Sequence, residues 1–221
     1  MTEPAPQVDF YFSFRSPYSY LAIGRLADWA GAEGVDLRLR PVLPLAIRSP
    51  EFFTKGNPQQ PRYLFLDSHR TAAFLGIPFR WPEPDPVVIA LDPVVIPAEQ
   101  PYIHRLTRLG AAAARHGAGV AFARAVSHLI WSGAVQGWHE GPHLAQAAAG
   151  AGLDLAALDA EVAAEAPALD AIIAQNQADH KASGHWGVPL MVYAGEPFFG
   201  QDRIDMLKWR VAQSRKTASS G

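Results

Sequence analysis

The sequence predicts an α/β domain built from both ends of the chain, with an all-α domain inserted between them. Three observations carry this prediction. A strand–helix–strand pattern occupies the N-terminal end, a hairpin and an amphipathic helix occupy the C-terminal end, and the alanine-rich middle keeps helical periodicity. The α/β part is expected over residues 1–45 and 184–221 and the helical insert over 46–183. Compact domains often have close termini and tolerate such insertions.

Val8–Phe14 is aromatic and β-branched and lies between prolines, which predicts a strand. Pro17–Glu33 carries Tyr20, Leu21, Ile23, Leu26, Ala27 and Ala30 at helical spacing, and Gly34 ends it. Val35–Val42 predicts a second strand, so the start is a βαβ unit with a parallel pair. Residues 43–62 predict loop with a short helix, and Tyr63–Leu75 a helix. The proline-rich stretch 76–101 holds "DPVVI" at Asp85 and again at Asp92 and reads as an irregular loop. Residues 102–183 predict four helices, broken near 117–119, 133–141 and 150–154. "GVPLMVYAGEPFFG" predicts a hairpin turning at Ala194–Gly195. A last helix is expected over Asp202–Ala212, capped near Gln201 or Asp202, with a frayed tail after it.

The chain has 19 Lys and Arg against 21 Asp and Glu, for a net charge of −2, and lacks the basic footprint of a nucleic-acid binder. No apolar run approaches the roughly 20 residues of a membrane span. The start, MTEPAPQ, has neither a basic n-region nor an apolar h-region. With no cysteine, disulfides, thiolate metal sites and cysteine nucleophiles are excluded. A cytoplasmic protein is the expectation.

Ser16-Pro17 stands at a strand-to-helix corner. Its plain reading is a helix start, with Ser as N-cap and Pro at the first helical position. The same geometry also suits an anion, because unpaired N–H groups and a partial positive charge collect there and a hydroxyl adds a donor. A serine hydrolase is a poor reading: there is no Gly-x-Ser-x-Gly elbow, and Pro17 lacks the N–H of an oxyanion hole. Ser19 reads as a cap partner or a buried hydroxyl.

"FYFSFRSPYSYLA" resembles the N-terminal signature of the 2-hydroxychromene-2-carboxylate isomerases and the kappa-class glutathione transferases, thioredoxin-fold proteins related to the DsbA oxidoreductases. "GHWGVPLMVYAGEPFFGQDRIDML", Gly184–Leu207, resembles that family's Gly-Val-Pro, hairpin and Gly-x-Asp-Arg block. A weaker likeness runs through Lys55, Gly56, Asn57, Pro61, Tyr63, Asp67 and Arg70. Together the blocks cover about a third of the chain. The α/β part would then be a thioredoxin-like domain, with Ser16 and Ser19 in the slots of a Cys-x-x-Cys pair.

The resemblance implies glutathione as cofactor. Ser16 would stabilise its thiolate and Pro189 would be a cis-proline. Val188 would bond the cysteinyl part like an added strand, and Gly200, Gln201 and Asp202 would receive the γ-glutamyl end. Arg203 reads as a structural ion pair. The implied activity is a glutathione-dependent isomerase of aromatic-degradation intermediates. Its small aromatic carboxylate substrate would be met by cations among Arg48, Lys55 and Arg62, by Asn57, and by Trp81 as an apolar wall. Members of the family tend to be dimers, so a homodimer is implied as well. A kappa-like glutathione transferase and a cysteine-less thioredoxin-fold binding protein are the alternative readings. The stretches "PVLPLAI" and 76–101 depart from the family pattern where substrate would be chosen.

"HEGPH", His139–His143, matches a zinc pattern only if both histidines share a helix face, which Gly141 and Pro142 oppose; it reads as a helix start, with no metal expected. His185 stands beside the Gly-Val-Pro stretch and reads as a structural residue bordering the site.

Overall fold

The computed structural model describes residues 4–57, 59–91 and 94–219. Strand β1 (Gln7–Phe12) pairs in parallel with β2 (Asp36–Pro41), in the register Gln7↔Asp36 to Phe12↔Pro41. Helix α1 (Pro17–Glu33) makes the crossover between them. At the far end of the chain β5 (Leu190–Tyr193) and β6 (Glu196–Phe199) complete an antiparallel half, giving the sheet order β2-β1-β5-β6. The predicted α/β class and its thioredoxin-like character are both present.

β1 ends at Phe12, before the expected Phe14, because the Ser16 N–H closes a turn onto Ser13 O at 3.0 Å. The freed Phe14 packs inward against Phe122, and its carbonyl accepts from Trp131 Nε1 at 2.9 Å. α1 has the predicted bounds: Ser16 caps it, Pro17 opens it, and Gly34 closes it at φ 62°.

The middle segment starts with two single-turn helices, α2 (Leu45–Arg48) and α3 (Glu51–Thr54). Helix α4 (Gln59–Leu75) begins four residues before the expected Tyr63, since Pro61 falls in the first turn, where no N–H partner is lost. The proline-rich stretch is irregular apart from a two-residue pairing of β3 (Ala90–Leu91) with β4 (Val94–Val95). Asp92 and Pro93, which open the second "DPVVI", lie outside the described residues.

Helices α5 (Ile103–Arg115), α6 (Gly119–Trp131), α7 (His143–Gly150) and α8 (Leu155–Ala182) follow, breaking where glycine clusters predicted. α8 bends at Glu165, two residues before Pro167. α5 lies close on the sheet because Gly110 has no side chain; a Cβ there would sit 2.8 Å from Phe14 Cε2. One buried cluster joins Phe10, Phe12 and Leu21 to Leu106, Phe122 and Trp131.

The hairpin turns at Ala194 and Gly195, both at positive φ, as a two-residue hairpin turn requires. Gln201–Arg203 is a single 3-10 turn, and α9 (Ile204–Ser219) runs well past the expected Ala212. Arg210 grips Glu196 at 2.6–3.0 Å and Arg215 donates to Glu33 O at 2.7 Å, which anchors the helix beyond Ala212; Ser220 and Gly221, the last residues of the tail expected to fray, lie outside the described residues. Among the described residues no helix is long and apolar enough to cross a membrane.

Candidate active site

The site begins at the corner between β1 and α1. Ser16 Oγ accepts the Ser19 N–H at 3.1 Å and donates its own proton to Val188 O at 3.4 Å. The first contact is an ordinary N-cap. The second reaches across 172 residues to the loop before β5 and is long enough to be exchanged readily for a better acceptor. Ser19 is fully buried and its hydroxyl has no partner among the described residues.

The Val188–Pro189 bond is cis, as the resemblance implied. Val188 precedes the β5 ladder, and Pro189 O accepts the Gly200 N–H at 2.9 Å. One chain of contacts therefore links Ser16, Val188, Pro189 and Gly200, with Gln201 and Asp202 next in line. Gly200 stands at φ 102°, a region only glycine enters freely, and a Cβ on it would lie 2.5 Å from Asp202 Oδ1. Arg203 pairs with Asp202 at 2.8 Å, the structural ion pair expected of it. Arg25, which sequence reasoning missed, donates to both Gln201 O and Gln201 Oε1, at 3.0 and 2.9 Å. Nothing local marks it, since its partner is 176 residues away.

The substrate candidates separate. Lys55 and Asn57 line a cavity of about 470 Å³ together with Leu45, Glu51, Phe52 and Trp186, the last only two residues before Val188. Arg48 does not line it: its Nε donates to Leu43 O at 2.7 Å and its Nη2 to Trp186 O at 3.2 Å, while burial lowers its pKa. Trp81 is also absent from that wall. It packs edge-on against Trp131, and its ring lies 5.3 Å from the Arg15 guanidinium. Arg15 in turn holds Asp85 through two bonds of 2.9 and 3.1 Å, tying the proline-rich stretch to the residue before Ser16. Arg62 is exposed on α4.

The weaker third block also reaches the corner. Tyr18 donates to Asp67 Oδ2 at 2.5 Å, and Arg70 bonds both Asp67 and Tyr63. Burial, together with the bond to Asp67, pushes the Tyr18 phenol up. For Asp67, burial acts upward, but the bonds from Tyr18 and Arg70 outweigh it and hold the carboxyl below its usual range.

The histidines differ in role. His139 lies before α7, and His143 only begins that helix, so the two share no helix face. Among the described residues no group of His, Cys, Asp and Glu is placed to hold a metal ion. His185 accepts the Gly187 N–H on Nδ1 at 2.9 Å and stacks on Phe199 with ring centres 3.7 Å apart. His180, which the sequence reading passed over, is fully buried and donates from Nε2 to Gly187 O at 2.9 Å.

Burial, which the bond to Gly187 only partly offsets, lowers the His180 pKa to about 4. A proton on its Nδ1 would find no acceptor among the described residues. Between pH 6.5 and about 4 the unfolded chain binds a proton here that the folded chain refuses, so this contribution is full above pH 6.5 and is lost as pH falls. Denaturant titrations across that window are expected to show a fall on the order of 3 kcal/mol that His180→Phe removes.

A four-stranded mixed sheet with a capped helix corner facing a cis-proline loop defines a thioredoxin-fold protein. The sequence pattern of the DSBA-like thioredoxin domain matches residues 7–212, and the chain belongs to that family. No curated protein matches it. Among solved structures it is similar to a 2-hydroxychromene-2-carboxylate isomerase (TM-score 0.71, 23% identity, covering 97% of this chain and 99% of that one). It is also similar to a probable DsbA oxidoreductase from Streptomyces coelicolor (TM-score 0.67, 18% identity, 96% and 90% covered). A third is the cytosolic disulfide reductase DsbM from Pseudomonas aeruginosa with GSH (TM-score 0.57, 19% identity, 86% and 87% covered). At these identities the likeness is one of fold.

Proposed function

We propose that the chain is a glutathione-dependent cis-trans isomerase of 2-hydroxychromene-2-carboxylate-like intermediates of aromatic degradation, in which Ser16 stabilises the glutathione thiolate. The observation that carries this reading is the 3.4 Å contact between Ser16 Oγ and Val188 O, which sets a helix N-terminus against the loop that would hold a peptide-like ligand. The absence of cysteine removes disulfide exchange by the chain's own side chains, the chemistry of its oxidoreductase relatives. Among the structural neighbours, the 2-hydroxychromene-2-carboxylate isomerase supports the choice of reaction and the disulfide reductase with GSH supports the choice of glutathione.

The residues present fit such a ligand. Val188 lies outside the strand ladder with main-chain groups to offer, Gly200 lets the exposed Asp202 carboxylate fold close against the backbone beside it, and Ser19 contributes an orphaned buried hydroxyl near the cap. When bound, glutathione would supply a sulfur nucleophile that adds to and then leaves a conjugated double bond, itself unchanged overall. The chain's own groups do the rest. The positive end of α1, where the Tyr18 N–H has no acceptor among the described residues, and the Ser16 hydroxyl favour the anionic over the protonated sulfur. Val188 aligns the cysteinyl segment as an added strand does. Asp202 meets the ammonium of the γ-glutamyl end, and Arg25 keeps Gln201 in place. Lys55 offers a cation to a substrate carboxylate, with Phe52 and Trp186 as walls for an aromatic ring. A cytoplasmic homodimer belongs to the same proposal.

Calorimetry and melting at millimolar glutathione test the reading first: heat and a raised melting temperature are expected, and the absence of both would overturn it. Turnover of a hydroxychromene carboxylate is then expected to exceed conjugation of a chlorinated aromatic acceptor; the reverse would make the chain a transferase.

A further inference from the structure

We propose that His180 is a positioning residue of this site, a buried imidazole that aims the Val188 N–H at the ligand by holding the other end of the same peptide unit. The inference rests on the glutathione reading above.

A trans peptide is planar, and its C=O and N–H point in opposite directions. The unit joining Gly187 to Val188 is trans, since only Glu83–Pro84 and Val188–Pro189 are cis among the described residues. His180 Nε2 draws the Gly187 carbonyl toward α8 at 2.9 Å. The Val188 N–H of that unit is thereby turned away from α8, and among the described residues it has no acceptor. The preceding unit is held at both ends: Trp186 O accepts from Arg48 at 3.2 Å, and the Gly187 N–H donates to His185 Nδ1 at 2.9 Å. The next carbonyl, Val188 O, meets Ser16. Three consecutive carbonyls are thus taken by side chains from α2, α8 and the cap of α1. One N–H in the run is left for a ligand, and an added strand needs that donor.

The sequence of α8 shows that burial alone does not call for His180. Its buried positions run Leu158, Val162, Leu169, Ile173, Asn176 and His180, an apolar stripe that turns polar only at the end nearest the site. Both polar members spend their donors on carbonyls of other segments, Asn176 on Pro41 O at 3.0 Å and His180 on Gly187 O. A buried polar side chain that makes one bond costs more than a leucine would, and here that bond orients a ligand-facing peptide.

The test compares native protein with His180→Phe, which keeps the ring and its contact with Tyr11 but removes the donor, and His180→Gln, which restores an N–H. His180→Met, a flexible gap-filler without a donor, serves if the Phe variant does not fold. Folded Phe or Met variants are expected to bind glutathione about tenfold more weakly by calorimetry, and the Gln variant within about threefold of native. Equal affinity in all of them overturns the proposal. Amide NMR of the ligand-free proteins separates this failure from that of the functional reading. The Gly187 and Val188 resonances are expected to shift in the Phe variant and return toward native in the Gln variant. Unmoved resonances overturn the positioning role whether or not native protein binds glutathione, whereas shifted resonances without glutathione binding by native protein overturn only the functional reading.

Discussion

Replacing Ser16 by alanine is expected to lower turnover at saturating glutathione by about two orders of magnitude while leaving glutathione affinity within a few fold. One donor aimed at developing or resident negative charge in a water-poor site has about that effect on rate. The rest of the proposed ligand contacts, at Val188, Gly200 and Asp202, do not pass through the hydroxyl, so binding survives. The substitution also removes the N-cap bond to Ser19 N–H, at a cost of about 1 kcal/mol. That cost lowers the melting temperature by a few degrees but not the rate of protein that remains folded. Steady-state kinetics with melting curves on the same sample separate the two effects, and a rate equal to native would remove Ser16 from the chemistry.

Trp131→Ala is expected to be the most damaging core substitution. The side chain is fully buried, stacks on Phe79, meets Trp81 edge-on and supplies, among the described residues, the one side-chain donor to Phe14 O. Removing so large a buried ring costs about 3–5 kcal/mol. The stranded Phe14 carbonyl adds about 1–3 kcal/mol more. Because Phe14 lies two residues before Ser16, the loss also loosens the corner that carries the site. Trp131→Phe keeps much of the volume and loses only the donor, so it is expected to fall between native and the alanine variant. Guanidinium titration reads both, and an alanine variant within 1 kcal/mol of native would contradict the packing account.

What could be read from the sequence was whatever local chemistry encodes. The Ser16–Pro17 start, the Gly34 end and the Ala194–Gly195 turn were legible because each needs particular residues within a few positions. Six candidates for the glutathione site, Ser16, Val188, Pro189, Gly200, Gln201 and Asp202, come together along one path of contacts. Lys55 and Asn57 share a cavity wall, while Arg48 turns to main-chain carbonyls and Trp81 to the core. The contacts that went unseen are long-range side-chain pairings without a local signature: Arg25 with Gln201, Arg15 with Asp85 across 70 residues, and Tyr18 with Asp67 across 49. His180 escaped for another reason: it occupies a position in the apolar stripe of α8 where periodicity asks only for burial. The length of α9 was missed because Arg210 and Arg215 anchor it through residues of β6 and the α1 terminus, not through a pattern of its own.

The central claim is that the corner at Ser16 holds a thiolate. Its most direct measurement is the ultraviolet thiolate absorbance of bound glutathione as a function of pH, in native protein and in Ser16→Ala. A free thiol titrates near 8.5, and a helix N-terminus with an added hydroxyl donor is expected to bring the bound one down by about one unit or more, with the alanine variant rising back toward the free value. Bound glutathione that titrates like free glutathione in native protein would contradict the account.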